Sequence, residues 1–185
     1  METSAPATTT TVWTIDPSHS EILFKVRHLM VSNVTGRFGT FDGKLETAGE
    51  NFESAKASFW ADIDSISTGT DQRDAHLKSP DFFDAANHPK LTFESTAIRK
   101  TGEDTFEMTG NLTIRETTKQ VTLKVEHGGT MTDPWGNTKA GFEITGSIKR
   151  KEYGLTWDVV TEAGGVVAGD EVKLVLNVQV VKQQG

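Results

Sequence analysis

From Glu21 onward the chain alternates apolar and polar side chains with a period of two, the mark of strands with one buried face. In "SEILFKVRHL" one face carries Ile22, Phe24, Val26 and His28, and the other Glu21, Lys25 and Arg27. "AKASFWADID" sets Ala57, Phe59, Ala61 and Ile63 on one side, and "KLTFES" does the same with Leu91 and Phe93. "TFEMTGNLTI" lines up Phe106, Met108, Gly110, Leu112 and Ile114, and "QVTLKVE" lines up Val121, Leu123 and Val125. "KAGFEITGSI" follows with Ala140, Phe142, Ile144, Gly146 and Ile148, and "EVKLVLNVQVV" with Val172, Leu174, Leu176, Val178 and Val180. Adding the Gly-rich "TGRFGTFDGKLE" (35–46), the pattern predicts about eight strands. "RKTGED" (99–104) and "DPWGN" (133–137) read as hairpin connections.

One region breaks the rhythm. From Asp71 to about Ala86, punctuated by Pro80 and Pro89, the sequence reads as a short helix followed by irregular loop. Antiparallel strands in a chain of this length favour a barrel or a sandwich. Glycines at strand positions read as inward, Gly39, Gly43, Gly110 and Gly146, suggest strongly bent strands or room for something against the backbone, and bent strands favour the barrel. About eight strands enclose a space that is filled by side chains or holds one small ligand, and periodicity alone does not say which. Residues 1–11, rich in Thr and Ala, read as a loose leader, and 12–185 as a single domain.

Composition narrows the function classes. The 185 residues contain no cysteine, which removes disulfides and thiolate metal sites. A net charge of −7 with interspersed signs offers no basic face for nucleic acid. No apolar run approaches the ~20 residues of a membrane helix. "METSAPATTTT" has neither the basic head nor the apolar centre of a signal peptide, so the chain as it stands predicts a cytoplasmic protein.

Candidate chemistry is sparse. The five histidines, His19, His28, His76, His88 and His127, form no H-x-H or H-x-x-x-H pair, so no metal site is expected. There is no thiol nucleophile and no G-x-S-x-G turn. Asp74 beside His76, with Arg73, would serve acid–base catalysis, but the favoured reading is that Asp74 and Arg73 cap a helix and pair with neighbours while His76 is satisfied locally. His28 continues the apolar parity of its strand and so needs a buried partner: a backbone carbonyl, a side chain or a ligand head group.

Several blocks, taken together and in order, resemble the YceI-like family of polyisoprenoid-binding proteins. "WTIDPSHSEILFKVRHL" and "GRFGTFDGKL" are similar to its opening. "SISTGTDQRDAHLKSPDFFDAANHPKLTFES" is similar to its central signature, and "GNLTIRETTKQVTL" and "KRKEYGL" to its later blocks. The likeness runs from about residue 12 to 181. It implies a lipocalin-like antiparallel β-barrel with a helix near the mouth, binding a polyprenyl chain or an isoprenoid quinone in an elongated channel. It implies no reaction, no metal and no required cofactor beyond that ligand. Three positions depart from the family pattern: Glu116 where glycine is usual, Gln120 where proline is usual, and Lys149 where asparagine is common. They bear on the hairpin after Ile114 and on the loop near Arg150.

Joined to the inward parity, the resemblance nominates Ile22, Phe24, Val26, Phe59, Ile63, Phe93, Leu112, Ile114, Phe142, Ile144, Leu174 and Leu176 as channel wall. His28, Arg73 and His76 are nominated as polar groups near a ligand head. The expected partner is a lipophilic small molecule and not nucleic acid. Edge strands or an apolar mouth would support a homodimer. Two alternatives stand beside this carrier: a filled barrel acting as an interaction or stress-related module, and an enzyme using Asp74, His76 or His28 on a lipophilic substrate.

Overall fold

The computed structural model describes residues 10–28, 31–49, 51–155 and 168–183, with the backbone alone at 28 and 168. Of the expected leader, residues 1–11, positions 1–9 lie outside the described residues, whereas Thr10 and Thr11 belong to the first strand, which starts at Thr10. Strands β1 (Thr10–Ile15), β2 (Glu21–His28), β3 (Ser32–Phe38), β4 (Phe41–Ala48), β5 (Asn51–Asp62) and β6 (Ile66–Ser67) precede α1 (Asp71–Lys78), the one α-helix among the described residues. Then come β7 (Lys90–Lys100), β8 (Thr105–Ile114), β9 (Thr117–Thr132), β10 (Thr138–Lys149) and β11 (Ala168–Lys182).

All strand pairs are antiparallel, and the order β1-β4-β5-β7-β8-β9-β10-β11 closes back on β1, giving a barrel of eight strands. β11 is long enough to pair with two strands in turn: β1 along Val180–Lys182, and β2 from Asn177 toward Ala168. β1 and β2 therefore lie end to end along one neighbour, separated by a kink at Asp16–Ser20. Asp16 pins that kink by accepting from the Ser18 amide at 3.1 Å and hydroxyl at 2.7 Å and pairing with His19 Nδ1 at 2.8 Å. Those bonds, Ser18's foremost, hold its carboxyl below the usual range. β3 and β6 continue the sheet beyond β2. Beyond β6 the chain passes to α1, which therefore follows the end of the sheet and precedes β7.

The alternation places most strands as the sequence predicts, but the segment 35–46, read as one strand, divides into β3 and β4, and Gly39 stands exposed in the turn between them, not at an inward strand position. In β8, Phe106, Met108, Gly110, Leu112 and Ile114 are buried, with more exposed residues between them. Two inward glycines fit large side chains from the neighbouring strand. A Cβ on Gly146 would lie 2.4 Å from the tip of Leu123 and touch nothing else closely, whereas one on Gly110 would meet the Phe93 ring at 2.4 Å and the Glu94 carbonyl at 2.5 Å. Leu123 can turn aside, but a backbone carbonyl cannot. Gly110→Ala is expected to cost about 1–3 kcal/mol and Gly146→Ala less than about 1 kcal/mol. Urea unfolding checks the order; equal losses would show that β7 shifts freely.

Two groups of buried side chains divide the interior: one around Trp13, Phe38, Phe41, Ile63 and Ile66, the other around Phe93, Phe106, Leu123 and Tyr153. Phe59, Leu77, Phe83, Phe142 and Ile144 pack against both groups yet are only partly buried. Inward-facing residues with incomplete burial signify empty space in front of them. The barrel is hollow.

Candidate functional site

The space is a cavity of about 670 Å³ whose wall is overwhelmingly apolar. Of the residues nominated from sequence, Ile22, Phe24 and Val26 line it from β2, Phe59 from β5 and Phe93 from β7. Leu112 and Ile114 do so from β8, Phe142 and Ile144 from β10, and Leu174 and Leu176 from β11. Arg73 and His76 line it from α1. Ile63 is a correction. The alternation was carried past the end of β5, but the strand stops at Asp62 and Ile63 begins a short 3-10 helix, Ile63–Ser65. There it is 2% exposed, inside the core beside the cavity and not on its wall. The side chain of His28 lies outside the described residues.

The stretch that broke the strand rhythm covers one end of the cavity. α1 is short and strongly polar, so it is held by side-chain bonds more than by burial. Thr68 donates to Asp74 Oδ1 from its amide at 2.8 Å and its hydroxyl at 2.6 Å. Arg73 donates from Nε to the Thr68 hydroxyl and from Nη2 to the Thr68 carbonyl, both at 2.7 Å. His76 Nε2 pairs with Asp81 Oδ2 at 2.9 Å, and its ring meets Phe82 edge-on at 5.2 Å. Asp74 is thus engaged by Thr68, and His76 by Asp81. Beneath the helix, Leu77, Phe82 and Phe83 turn their side chains to the cavity. Polar lining groups gather here: Thr70, Gln72, Arg73 and His76, with Arg27 from β2. An apolar space with most of its polar lining beside α1, and Lys44 and Ser58 elsewhere on the wall, suits an apolar chain bearing a small polar head.

Sequence reasoning missed Arg150. It is 3% exposed, and donates from Nε to the Gly169 carbonyl at 2.8 Å and from Nη1 to the Leu155 carbonyl at 2.7 Å. Its guanidinium lies 6.0 Å from the centre of the Phe82 ring. The block "KRKEYGL" showed a basic run, and nothing in a basic run says which residue turns inward. Phe52 was missed for another reason: it faces the cavity from within an irregular part of β5, where alternation fails.

Tyr153 shows what burial does to a polar group here. Its hydroxyl has no hydrogen-bond partner among the described residues, and burial, aided by the charge of Glu152, pushes the phenol up to about 12. An unfolded tyrosine titrates near 10, so the contribution is full below about pH 10 and is lost as pH rises through about 12. Tyr153→Phe is expected to add about 1 kcal/mol near neutral pH and to remove this alkaline loss. Urea unfolding at neutral and alkaline pH reads both effects, and a loss at neutral pH would mean that the hydroxyl has a partner.

Among the described residues no three His, Asp or Glu side chains converge as metal ligands, and no helix is long and apolar enough to cross a membrane. Residues 13–180 match the model of the family described as YceI-like domain. A UPF0312 protein of Pectobacterium carotovorum subsp. carotovorum is 37% identical over 166 residues, which cover 90% of this chain and 83% of that one. BcnA of Burkholderia cenocepacia has the same fold, with a TM-score of 0.76 at 22% identity over 89% of this chain and 98% of that one. So does a polyisoprenoid binding domain from Saccharophagus degradans, implicated in plant cell wall breakdown, with a TM-score of 0.64 at 19% identity over 91% and 97% of the two chains.

Proposed function

The chain belongs to the YceI-like domain family, and from that premise we propose that it binds and carries one isoprenoid molecule, a polyprenyl chain or an isoprenoid quinone, inside the barrel. One observation supports this above the others: an apolar cavity of about 670 Å³ within a closed barrel. An apolar cavity of ~150 Å³ accommodates one benzene, so this one has room for on the order of 25 carbon atoms, or about five isoprene units. Such a cavity hydrates poorly, and a tail filling it removes apolar surface from water on both sides at about 0.8 kcal/mol per CH₂. Affinity then comes from the tail, with little polar recognition. Gln72, Arg73 and His76 at the α1 end offer donors to the carbonyl or hydroxyl oxygens of a quinone or prenol head. The polyisoprenoid-binding domain that shares the fold supports the same ligand class.

The carrier reading also fits the side chains best placed for acid–base work, because Asp74 and His76 each hold the helix in place through their own partners. The test is native mass spectrometry of gently purified protein, with mass analysis of an organic extract. A stoichiometric isoprenoid, or uptake of one from an added polyprenol and quinone series, is expected. No uptake from that series would sink the proposal.

A further inference from the structure

Resting on the carrier reading, we infer that Phe52 and Phe142 form the floor of the cavity and set the length of tail it accepts. Their rings meet edge-on with centroids 5.1 Å apart, and both line the cavity. Behind them stand Trp13, 5.5 Å from Phe52, and His127, 5.0 Å from Phe52 and stacked on Phe142 at 5.1 Å. Neither Trp13 nor His127 lines the cavity. The backing is anchored: Trp13 is fully buried and donates from Nε1 to the Thr47 hydroxyl at 3.1 Å. His127 is fixed by its ring nitrogen on Thr130 at 2.8 Å and by its amide donating to the Asp104 carbonyl at 2.8 Å. Phe52 stands at the opposite end of β5 from Asp62, which pairs with Lys90 just after the helical segment. A tail whose head rests by α1 therefore ends against this pair.

A local departure from regular pairing aims Phe52 inward, and the ordinary alternation of β10, shared with Ile144 and Ile148, does the same for Phe142. Along β4 and β5, Glu46 pairs with Lys56 but Ala48 already pairs with Asn51, so residues 52–55 bulge. Ser54 secures the bulge by donating to the Asn51 carbonyl at 2.6 Å and accepting from the Ala48 amide at 2.8 Å. Regular continuation from Ala57 and Phe59 would turn Phe52 outward; the bulge turns it in. A second irregularity, between Gly141 and Phe142, sets Phe142 opposite His127 where Gly141 faces Gly129. The bulge of β5 and the alternation of β10 converge on one aromatic layer, and the wall above it is mostly aliphatic or aromatic.

Removing the Phe52 ring frees the room of about one benzene, close to one isoprene unit. The experiment offers wild type, Phe52→Ala, Phe52→Leu and Phe52→Trp an equimolar mixture of polyprenols of about three to about ten units, and separately a straight-chain alcohol series. Native mass spectrometry reads the tail length of the dominant complex. It is expected to rise by about one unit in Phe52→Ala, to rise less in Phe52→Leu, and to fall in Phe52→Trp. Phe52→Leu and Phe52→Trp keep the test decisive if the alanine protein does not fold. An unchanged length distribution across the folded variants, with wild type binding normally, overturns the floor alone. If wild type takes up straight chains only, the isoprenoid ligand fails while the length shift still decides the floor. If wild type takes up neither series, the carrier reading fails and the floor fails with it.

Discussion

Arg150→Ala is expected to lower the free energy of unfolding by about 3–5 kcal/mol and the midpoint of thermal unfolding by roughly 10 °C. The reason lies in what the guanidinium holds together. It joins the chain just after β10 to the Gly169 carbonyl in β11 and the Leu155 carbonyl beyond the short helix Arg150–Tyr153. Each of these bonds carries a cationic donor in a site nearly closed to water, worth about 1.5–3 kcal/mol. Its loss also leaves the Leu155 carbonyl, in a residue 5% exposed, without its donor. Arg150→Lys is expected to recover less than half, because an ammonium cannot reproduce the planar fork that reaches both carbonyls. Urea unfolding of the two variants measures the difference. A loss below about 1 kcal/mol in Arg150→Ala would mean that water or a neighbouring side chain replaces the guanidinium at no cost.

How far the fold could be read in advance depended on one property, the regularity of the strands. Where a strand pairs without interruption, as β8 does with β9 from Thr105 to Ile114, alternation named every buried residue. Strand β5 failed at both ends, and for one reason. Its alternation through Ala57, Phe59 and Ala61 was extended forward to Ile63, past the point where the strand turns into a 3-10 helix. The same alternation leaves Phe52 on the outer face, because the bulge at 52–55 is set by Ser54 and by pairing with β4, neither visible in a single strand. "NFES" held a hint: an isolated Phe among polar residues at a strand start is a poor outward residue.

The partners of the mouth residues were illegible for a different reason. Asp74 and His76 are neighbours in sequence, which suggested a pair, yet Asp74 turns back to Thr68 and His76 reaches Asp81 across the turn that follows α1. Which carboxylate an imidazole meets depends on the path of the chain through Ser79 and Pro80, and composition is silent on that path. The hollow interior was equally hidden. Parity tells which residues face inward, but whether they meet across the barrel depends on its diameter and on the kink between β1 and β2.

Because the interior is open, filling it is expected to abolish long-tail binding without unfolding the protein. Ile144 lies midway along β10, paired with Val125 on one side and Leu176 on the other, and all three line the cavity. Ile144→Trp adds about six heavy atoms to a wall that has space before it, and each tail carbon displaced forfeits about 0.8 kcal/mol. The sum, roughly 4–5 kcal/mol, corresponds to a loss of affinity on the order of a thousandfold for a tail of about five isoprene units. A prenol of about three units, lodged on one side of the indole, is expected to lose far less. Stability moves the other way: the indole buries apolar surface and fills space, so the unfolding midpoint holds or rises. The opposition between the two readouts separates a blocked site from a damaged fold. Retained affinity for the long tail in a folded Ile144→Trp protein would place the ligand outside the barrel.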